Sequence, residues 1–255
     1  MLVEPTGAVL IGAQLDPTGR RQPVQTAVAR FRLGGVPDTT FGSGGLSITN
    51  ATGCTALALL SNGNILVVDG QTVAELTSAG TLESTVTGGV VMASSGSNLN
   101  GAPHIFQPNG DYLVAGELFV GEESRGHESS TQVLRFSDTG VADTTFADPS
   151  FEFSGPETPD IEAIPNAMAV QSSGAIVVAG QQTKFGTGGS TVNGLARLTS
   201  TGNLDTTFGN GGTVTNNVGG SQGILAVAVQ PADQKIVTLG IANNGELVIA
   251  RYLGQ

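Results

Sequence analysis

Five segments of the chain share one pattern of apolar and polar positions. Each has an apolar run, a short turn with Gly, Pro or Asp, and a second apolar run that ends in Gly. The segments occupy residues 2–13, 57–70, 105–117, 169–181 and 227–240. Short apolar runs bounded by turn residues are typical of β-strands, so each segment predicts a β-hairpin. The second runs are almost wholly apolar, which favours strands that are buried on both faces.

The hairpins belong to a longer repeat. Their final glycines lie 46 to 64 residues apart, and a third strand follows each hairpin. A polar phrase and a short fourth strand then complete the first four repeats. Repeats of this length with four strands and no helical periodicity predict a β-propeller. A parallel β-solenoid is the structural alternative.

We therefore predict an all-β chain that folds as a single five-bladed β-propeller domain with four-stranded blades. The approximate blades are residues 1–50, 51–95, 96–153, 154–217 and 218–255. The fifth repeat stops after its third strand, so its blade is expected to lack an outer strand, and at most 19 strands are expected. The open edge of that blade could pair with another chain, which makes self-association one possible interaction. The alternative is that the sequence is part of a larger protein.

The polar phrase has one nearly constant form. It is PDTTFGSGG at 37–45, ADTTFADPS at 142–150 and LDTTFGNGG at 204–212. An Arg precedes each phrase Asp by eight positions, and the pairs are Arg30 and Asp38, Arg135 and Asp143, and Arg197 and Asp205. A guanidinium binds a carboxylate through two parallel hydrogen bonds, so the pairs are expected to tie the third strand to the following turn. The phenylalanines of the phrase are expected to fill gaps between blades.

The second repeat departs from this form, with Glu75 and Glu83 at the Arg and Asp positions and Val86 in place of Phe. A repeated Ca²⁺ site is the functional alternative to a structural phrase. One carboxylate per phrase is too few for an ion that takes six or more oxygen ligands, so the structural interpretation is favoured.

The stretches LARLTSTGNLDTTFGNGG (195–212) and ILAVAVQPADQKIVTLG (224–240) resemble the delta-60 repeat of bacterial propeller-type proteins. The resemblance covers nearly the whole chain and is strongest in the first, fourth and fifth repeats. It implies a β-propeller, a bacterial source and a secreted or cell-surface location. It implies no single activity, because one fold hosts many functions.

Charge and composition exclude several kinds of partner. The formal net charge is −11, which disfavours nucleic acid and anionic membrane surfaces. No apolar run is long enough to span a bilayer, and the N-terminus has no signal-peptide pattern. Cys54 is the single cysteine, so no disulfide can form within the chain.

The candidate binding residues lie in loops of unequal length that join the second and third strands or precede the first. A face with variable loops is a better candidate for function than one with uniform turns. The candidates are Arg20, Arg21, His104, Glu122, Glu123, Arg125, His127, Glu162, Asn166 and Lys184. A metal site made by His127 with its neighbouring acids is conceivable. Acid-rich loops are usually just solvated, so no metal and no cofactor are expected.

The chain has no nucleophile elbow, no H-E-x-x-H motif and no P-loop. The leading hypothesis is therefore a non-enzymatic binding or scaffold module that engages a protein or small ligand through the variable loop face. The alternative is a hydrolase or lyase with a site at the channel mouth, with or without a metal. A lectin-like module with one site per blade is less favoured, because equivalent sites would need equivalent loops.

Overall fold

The computed structural model describes most of the chain. The described residues are 1–15, 25–49, 54, 56–60, 62–68, 72–87, 97–98, 103–107, 111–119, 129–137, 141–153, 161–185, 189–217, 221–242 and 244–253. They form two compact units. The first unit is Met1–Ala93, Pro108–Asp111 and Phe136–Ala142, and the second is Ser94–Gln107, Tyr112–Arg135 and Asp143–Gln255.

The described residues form strands, turns and loops, without a helix. The first two repeats contain β1 (Leu2–Val3), β2 (Val9–Leu15), β3 (Gln25–Phe31), β4 (Leu46–Thr49), β5 (Ala56–Leu59), β6 (Ile65–Val68), β7 (Thr72–Leu76) and β8 (Leu82–Thr87). The third contains β9 (Ser97–Asn98), β10 (His104–Phe106), β11 (Tyr112–Phe119), β12 (Ser129–Phe136) and β13 (Ser150–Phe151). The last two contain β14 (Ile161–Val170), β15 (Ile176–Lys184), β16 (Ser190–Leu198), β17 (Thr213–Asn216), β18 (Ser221–Val229), β19 (Ile236–Ala242) and β20 (Leu247–Tyr252). The all-β prediction is confirmed over this part of the chain, where no membrane-spanning helix is found.

All five predicted hairpins are confirmed as antiparallel pairs. They are β1–β2, β5–β6, β10–β11, β14–β15 and β18–β19. The third and fourth strands continue the same antiparallel order in the first two repeats, which each form a four-stranded sheet. Repeats of this kind bring residues close in sequence into contact, which is why the local pattern predicted them well.

The sheet topology of the second compact unit is less regular. Strand β12 pairs with β14 in parallel through Ser129 and Glu162, which joins the third and fourth repeats into one nine-stranded sheet. Strands β18 to β20 form a separate three-stranded sheet.

The strand count corrects the expectation of at most 19, because the described residues already contain 20 strands. The first strand of the third repeat is in two pieces. Strand β10 pairs with β11 at Tyr112 to Val114, and β9 pairs with it at Glu117 and Leu118. Pro103 precedes β10 and has no N–H to donate to a ladder, so it can end the first strand there.

Each compact unit has its own apolar core. In the first unit Leu10, Val28, Phe41 and Ile65 are fully buried in one cluster. In the second unit one cluster gathers around Phe153 and Ile176, and another joins the fourth repeat to Ile224 and Ile236 of the fifth. The cores lie between strands of successive repeats, so the repeats are stabilised by their neighbours rather than singly.

Candidate functional site

The phrase that recurs along the chain forms a structural cluster in three repeats, which we call the clasp. Each clasp consists of one Arg, one Asp and one Phe: Arg30, Asp38 and Phe41; Arg135, Asp143 and Phe146; Arg197, Asp205 and Phe208. In each, the Arg Nε donates to an Asp Oδ2 at 2.7 to 2.9 Å, and the guanidinium lies 4.6 to 4.7 Å from the centre of the Phe ring. The three rings are buried, and a guanidinium over an aromatic face adds a cation–π attraction.

Two of the clasps also reach the next repeat. Arg30 Nη1 donates to the carbonyl oxygen of Ser78 at 2.6 Å, and Arg135 Nη1 donates to that of Ser200 at 2.8 Å. Gly80 of the second repeat packs so closely on Phe41 that an added Cβ would lie 2.8 Å from the ring. The clasp therefore ties neighbouring repeats together, in addition to linking a strand to its own turn.

The second repeat uses a different donor in place of the missing Arg. Asn64 Nδ2 donates to Glu75 Oε1 and to Glu83 Oε2, each at 2.7 Å. One amide thus bridges two carboxylates that would otherwise repel each other. The equivalent positions are Ala8, Asp111, Ala175 and Lys235 in the other repeats, so the asparagine is found in the second repeat alone.

The clasp carboxylates are held in their ionised form. The Thr145 hydroxyl and then its backbone N–H lower the pKa of Asp143 to about 2, with Arg135 contributing less. The Thr207 hydroxyl, first among several groups, also lowers the pKa of Asp205. The Thr40 hydroxyl, followed by the Arg32 guanidinium, lowers the pKa of Asp38. The second Thr of the phrase therefore helps to keep the Asp of each clasp ionised.

These shifts predict acid sensitivity. A carboxyl with a lowered pKa in the folded state stabilises the protein above its unfolded pKa of about 3.9, and the contribution is lost as the pH falls towards 2. We expect the urea midpoint to fall between about pH 4 and pH 2, and to fall less in Asp143→Asn. Equal acid dependence in the variant and the parent protein would contradict this role of Asp143.

The predicted binding residues divide into two groups. Six lie outside the described residues: Arg20, Arg21, Glu122, Glu123, Arg125 and His127. His104 begins β10, and Lys184 is exposed at the end of β15. Asn166 Nδ2 donates to the carbonyl oxygen of Ile224 at 2.9 Å, so its side chain joins β14 to β18.

Glu162, the remaining predicted residue, belongs to a row of polar side chains in the second compact unit. We call this the polar row, and it consists of Glu117, Ser129, Glu162, Thr183 and Thr191. Glu162 is the bridge partner of Ser129 on one side and lies opposite Thr183 on the other. Thr183 lies opposite Thr191 in the next strand pair. The row crosses five strands and contains two carboxylates and three hydroxyls.

At the Glu117 end of the polar row the side chains are buried and hydrogen-bonded. Ser129 Oγ donates to Glu117 Oε1 at 2.6 Å, and these residues are only 2% and 9% exposed. The Ala163 N–H donates to the same Ser129 oxygen at 3.3 Å. Glutamate is rarely buried in protein interiors unless it is paired, and the Ser129 hydroxyl is the partner here.

The other end of the polar row is followed by a second line of polar residues. The hydroxyls of Thr183 and Thr191 lie 3.1 Å apart. Two residues along the same strands, Gln181 lies opposite Asn193, which donates from Nδ2 to Asn216 Oδ1 at 3.4 Å. Residues two apart in a strand share a face, so the polar surface is continuous over this part of the sheet.

Sequence analysis missed Glu117 and Ser129. Glu117 lies within an apolar strand, YLVAGELF, and Ser129 opens the next strand. The signal available was a lone acid inside an otherwise apolar run. Among the described residues, no three His, Cys, Asp or Glu side chains lie together as a metal site would need.

A family comparison supports the propeller repeat. Residues 171–208 match the model of a family described as a β-propeller domain of unknown function, DUF5122. The match covers the fourth-repeat clasp and strands β15 and β16. It supports a β-propeller repeat without distinguishing the delta-60 repeat from others. No curated protein matches the chain.

Solved structures resemble the chain only distantly. A protein of unknown function from Bacteroides caccae aligns at 13% identity and a TM-score of 0.39, over 85% of this chain and 66% of its own. A Penicillium chrysogenum α-L-arabinanase in complex with arabinobiose aligns at 12% and 0.43, over 97% and 90%. A thermostable family-43 glycoside hydrolase aligns at 9% and 0.36, over 98% and 92%. The chain thus spans just under two thirds of the first of these proteins.

The comparison with solved structures contradicts the prediction of a non-enzymatic binding or scaffold module. The two of these structures that are named for an activity are an arabinanase and a glycoside hydrolase. Likeness at these scores transfers no reaction to this chain, because a shared fold does not fix an activity.

Proposed function

We propose that this protein is a hydrolase that uses Glu117 and Glu162 of the polar row as its acid–base pair. The observation that carries the proposal is the juxtaposition of two glutamates, from strands β11 and β14, on either side of Ser129. Hydrolysis needs one group to activate water and one to protonate the leaving atom, and paired carboxylates are a common solution.

The strand spacing suits this chemistry. Neighbouring strands lie about 4.8 Å apart, so positions two strands apart are separated by roughly 10 Å at the backbone. Carboxyl groups about 6.5 to 9.5 Å apart leave room for a water between base and substrate, as in inverting glycoside hydrolysis. Glu117 is hydrogen-bonded to Ser129, and Glu162 is the bridge partner of Ser129, so the two glutamates come from strands on either side of β12.

The proposed roles follow from the surroundings of each glutamate. Ser129 donates a hydrogen bond that fixes the orientation of the Glu117 carboxyl group, and Glu117 is proposed as the base. It takes a proton from water, whose oxygen attacks the electrophilic carbon. Glu162 is less buried and gives its proton to the leaving oxygen as the bond to that carbon breaks. Thr183 and Thr191 supply hydroxyls beside the acid to position a polar substrate.

Two segments adjoin strands of the polar row in sequence. Residues 120–128 join β11 to β12, and residues 154–160 lead into β14. The first segment carries Glu122, Glu123, Arg125 and His127, so several of the predicted binding residues adjoin the polar row in sequence. These side chains are proposed to contact the substrate.

The experiment is a hydrolysis assay with chromogenic glycosides, esters and lactones. We expect turnover of one class, with kcat/KM reduced about 10²- to 10⁴-fold in Glu162→Gln. Because Glu162 is the proposed acid, the activity of Glu162→Gln should no longer decrease at high pH. Because Glu117 is the proposed base, the activity of Glu117→Gln should no longer decrease at low pH.

The matched control is Glu246→Gln, which removes an exposed glutamate from the turn between β19 and β20. It should keep full activity. Melting temperatures are measured for every variant, because Glu117 is buried and its loss could unfold the protein. A folded parent protein that hydrolyses none of the panel, or a fully active Glu162→Gln, would contradict the proposal.

We also propose that the fold is a five-bladed β-propeller of the delta-60 type. The five successive antiparallel repeats support this count, and the family match over residues 171–208 supports the propeller class. In a propeller of this kind the loops that follow each second strand share one face with those that precede each first strand. The members of the polar row lie near the strand ends that adjoin these loops.

A further inference from the structure

The two glutamates of the proposed acid–base pair come from different repeats. Glu117 lies on β11 of the third repeat, whereas Glu162 lies on β14, which pairs with β15 of the fourth repeat from Ile161 to Val170. The distance between the two glutamates therefore depends on the joint between β12 and β14. The described ladder across that joint is the single bridge of Ser129 with Glu162.

Beyond this bridge, β12 pairs with another strand. Thr131 is the partner of Phe151 on β13, and the described ladder with β14 has ended. The side chain of Thr131 reaches β14 instead, where its hydroxyl donates to the carbonyl oxygen of Ala163 at 3.0 Å. The Ala163 N–H donates to Ser129 Oγ at 3.3 Å. Both main-chain groups of Ala163 are thus bound by hydroxyls of β12.

This joint is buried. Thr131 and Ala163 are fully buried, as is nearly all of Ser129. A buried carbonyl that loses its donor is costly, so the hydroxyl of Thr131 matters more here than it would in water. Residues two apart in a strand share a face, so Ser129 and Thr131 reach β14 side by side. Ala163 directly follows Glu162, and the hold on its main chain fixes the point from which the Glu162 side chain starts.

We propose that Thr131 is a positioning residue that sets the separation of Glu117 and Glu162. Thr131 holds Ala163, and Ser129 contacts both Ala163 and Glu117, so the two hydroxyls connect the base to the strand of the acid. The catalytic part of this inference rests on the proposed hydrolase activity, whereas the hold on β14 does not. A displacement of about 1 Å between catalytic groups is enough to slow a reaction greatly, so loss of this hydroxyl should lower kcat.

The test compares Thr131→Val, which removes the hydroxyl at nearly constant volume, with Thr131→Ser, which keeps it. In Thr131→Val we expect kcat to fall about 10- to 100-fold with KM nearly unchanged, because the acid is displaced while the substrate contacts remain. Thr131→Ala also lacks the hydroxyl and should behave in the same way, whereas Thr131→Ser should keep the kcat of the parent protein. In a Glu162→Gln background Thr131→Val should lower kcat no further, because the threonine acts through that glutamate.

Hydrogen exchange measures the hold on β14 without an activity assay. The amides of residues 162–164 should exchange about fivefold faster in Thr131→Val than in the parent protein, because one buried hydrogen bond to this segment is lost. They should exchange at the parent rate in Thr131→Ser. A parent protein that hydrolyses none of the panel would contradict the hydrolase proposal, and exchange would still decide whether Thr131 holds β14.

Thr213→Val is the matched control. Thr213 is also buried, and its hydroxyl also donates to a main-chain carbonyl, that of Asn210 at 3.2 Å in the fourth-repeat turn. This variant should lose a comparable hydrogen bond but keep the parent kcat and the parent exchange of amides 162–164. The proposal would be overturned by parent-like exchange or full activity in Thr131→Val, by a lowered kcat in Thr131→Ser, or by an equal loss of kcat in Thr213→Val.

Discussion

Replacing Arg197 with leucine is expected to lower the free energy of unfolding by about 3 kcal/mol, because it removes the cation from a largely buried clasp. The Arg197 side chain is 5% exposed and donates to Asp205 at 2.8 Å and to Thr207 at 3.2 Å. The leucine can pack on Phe208, so the loss reflects the unpaired carboxylate rather than a cavity. Urea unfolding followed by circular dichroism measures the change.

Arg32→Gln is the control for this prediction. Arg32 also binds a clasp carboxylate, with its Nη2 2.8 Å from Asp38, but its side chain is 57% exposed. Solvent screens such a pair, so the expected loss is much smaller than in Arg197→Leu. If the two substitutions cost the same, burial does not set the strength of the clasp and the structural account of Arg197 fails.

Replacing Gly180 with alanine is expected to destabilise the protein by about 3 kcal/mol, because the new methyl group has no room. A Cβ on Gly180 would overlap the carbonyl oxygen of Ile164 in the adjacent strand. The obstacle is backbone, close to the register shift between Pro165 and Ala167, so no side-chain rotation can relieve it. A thermal melt of Gly180→Ala, with the hydrolysis assay alongside it for activity, measures the effect.

Gly245→Ala separates this steric cost from the cost of backbone conformation. Gly245 has a φ of +83°, and a Cβ added to it would meet no atom within 4 Å. Alanine there therefore loses about 1 kcal/mol of stability through the left-handed conformation alone. A loss in Gly180→Ala no larger than that in Gly245→Ala would show that strand β14 can move aside.

The final glycine of the fourth and fifth hairpins therefore has a physical reason that the sequence pattern did not reveal. A Cβ on Gly240, the equivalent residue of the fifth repeat, would lie 2.8 Å from the carbonyl oxygen of Gly223 in the first strand of its hairpin. The sequence showed that a small residue recurs there. The close approach of the adjacent backbone shows why no larger residue fits.

Patterns within short stretches of sequence predicted those parts of the fold in which the contacting residues are close in sequence. The five hairpins follow from apolar runs and turn residues, and the Arg–Asp spacing of eight placed both partners beside the same strand end. The forward contacts from Arg30 to Ser78 and from Arg135 to Ser200 could not be predicted, because their acceptors are backbone carbonyls 48 and 65 residues away. A carbonyl has no sequence signature.

The polar row could not be predicted from the sequence for a related reason. It depends on the parallel pairing of Ser129 with Glu162, which are not in consecutive strands of one hairpin. Glu162 was identified from its loop, whereas Glu117 was hidden in an apolar strand. A site assembled from single residues of several strands leaves no motif, so its absence from the motif search wrongly favoured a non-enzymatic module.

The hydrogen-bond acceptors of the clasp in the next repeat affect which sequence changes the repeats can tolerate. The Arg, Asp and Phe all come from one repeat, whereas the polar contacts in the next repeat are main-chain carbonyls, and a glycine there accommodates the ring. The rings also share core clusters with apolar side chains of that repeat, Phe41 with Ile65 and Phe146 with Ile176. A repeat can therefore be duplicated or exchanged without a matching polar side chain in its successor, provided that the successor keeps these apolar positions.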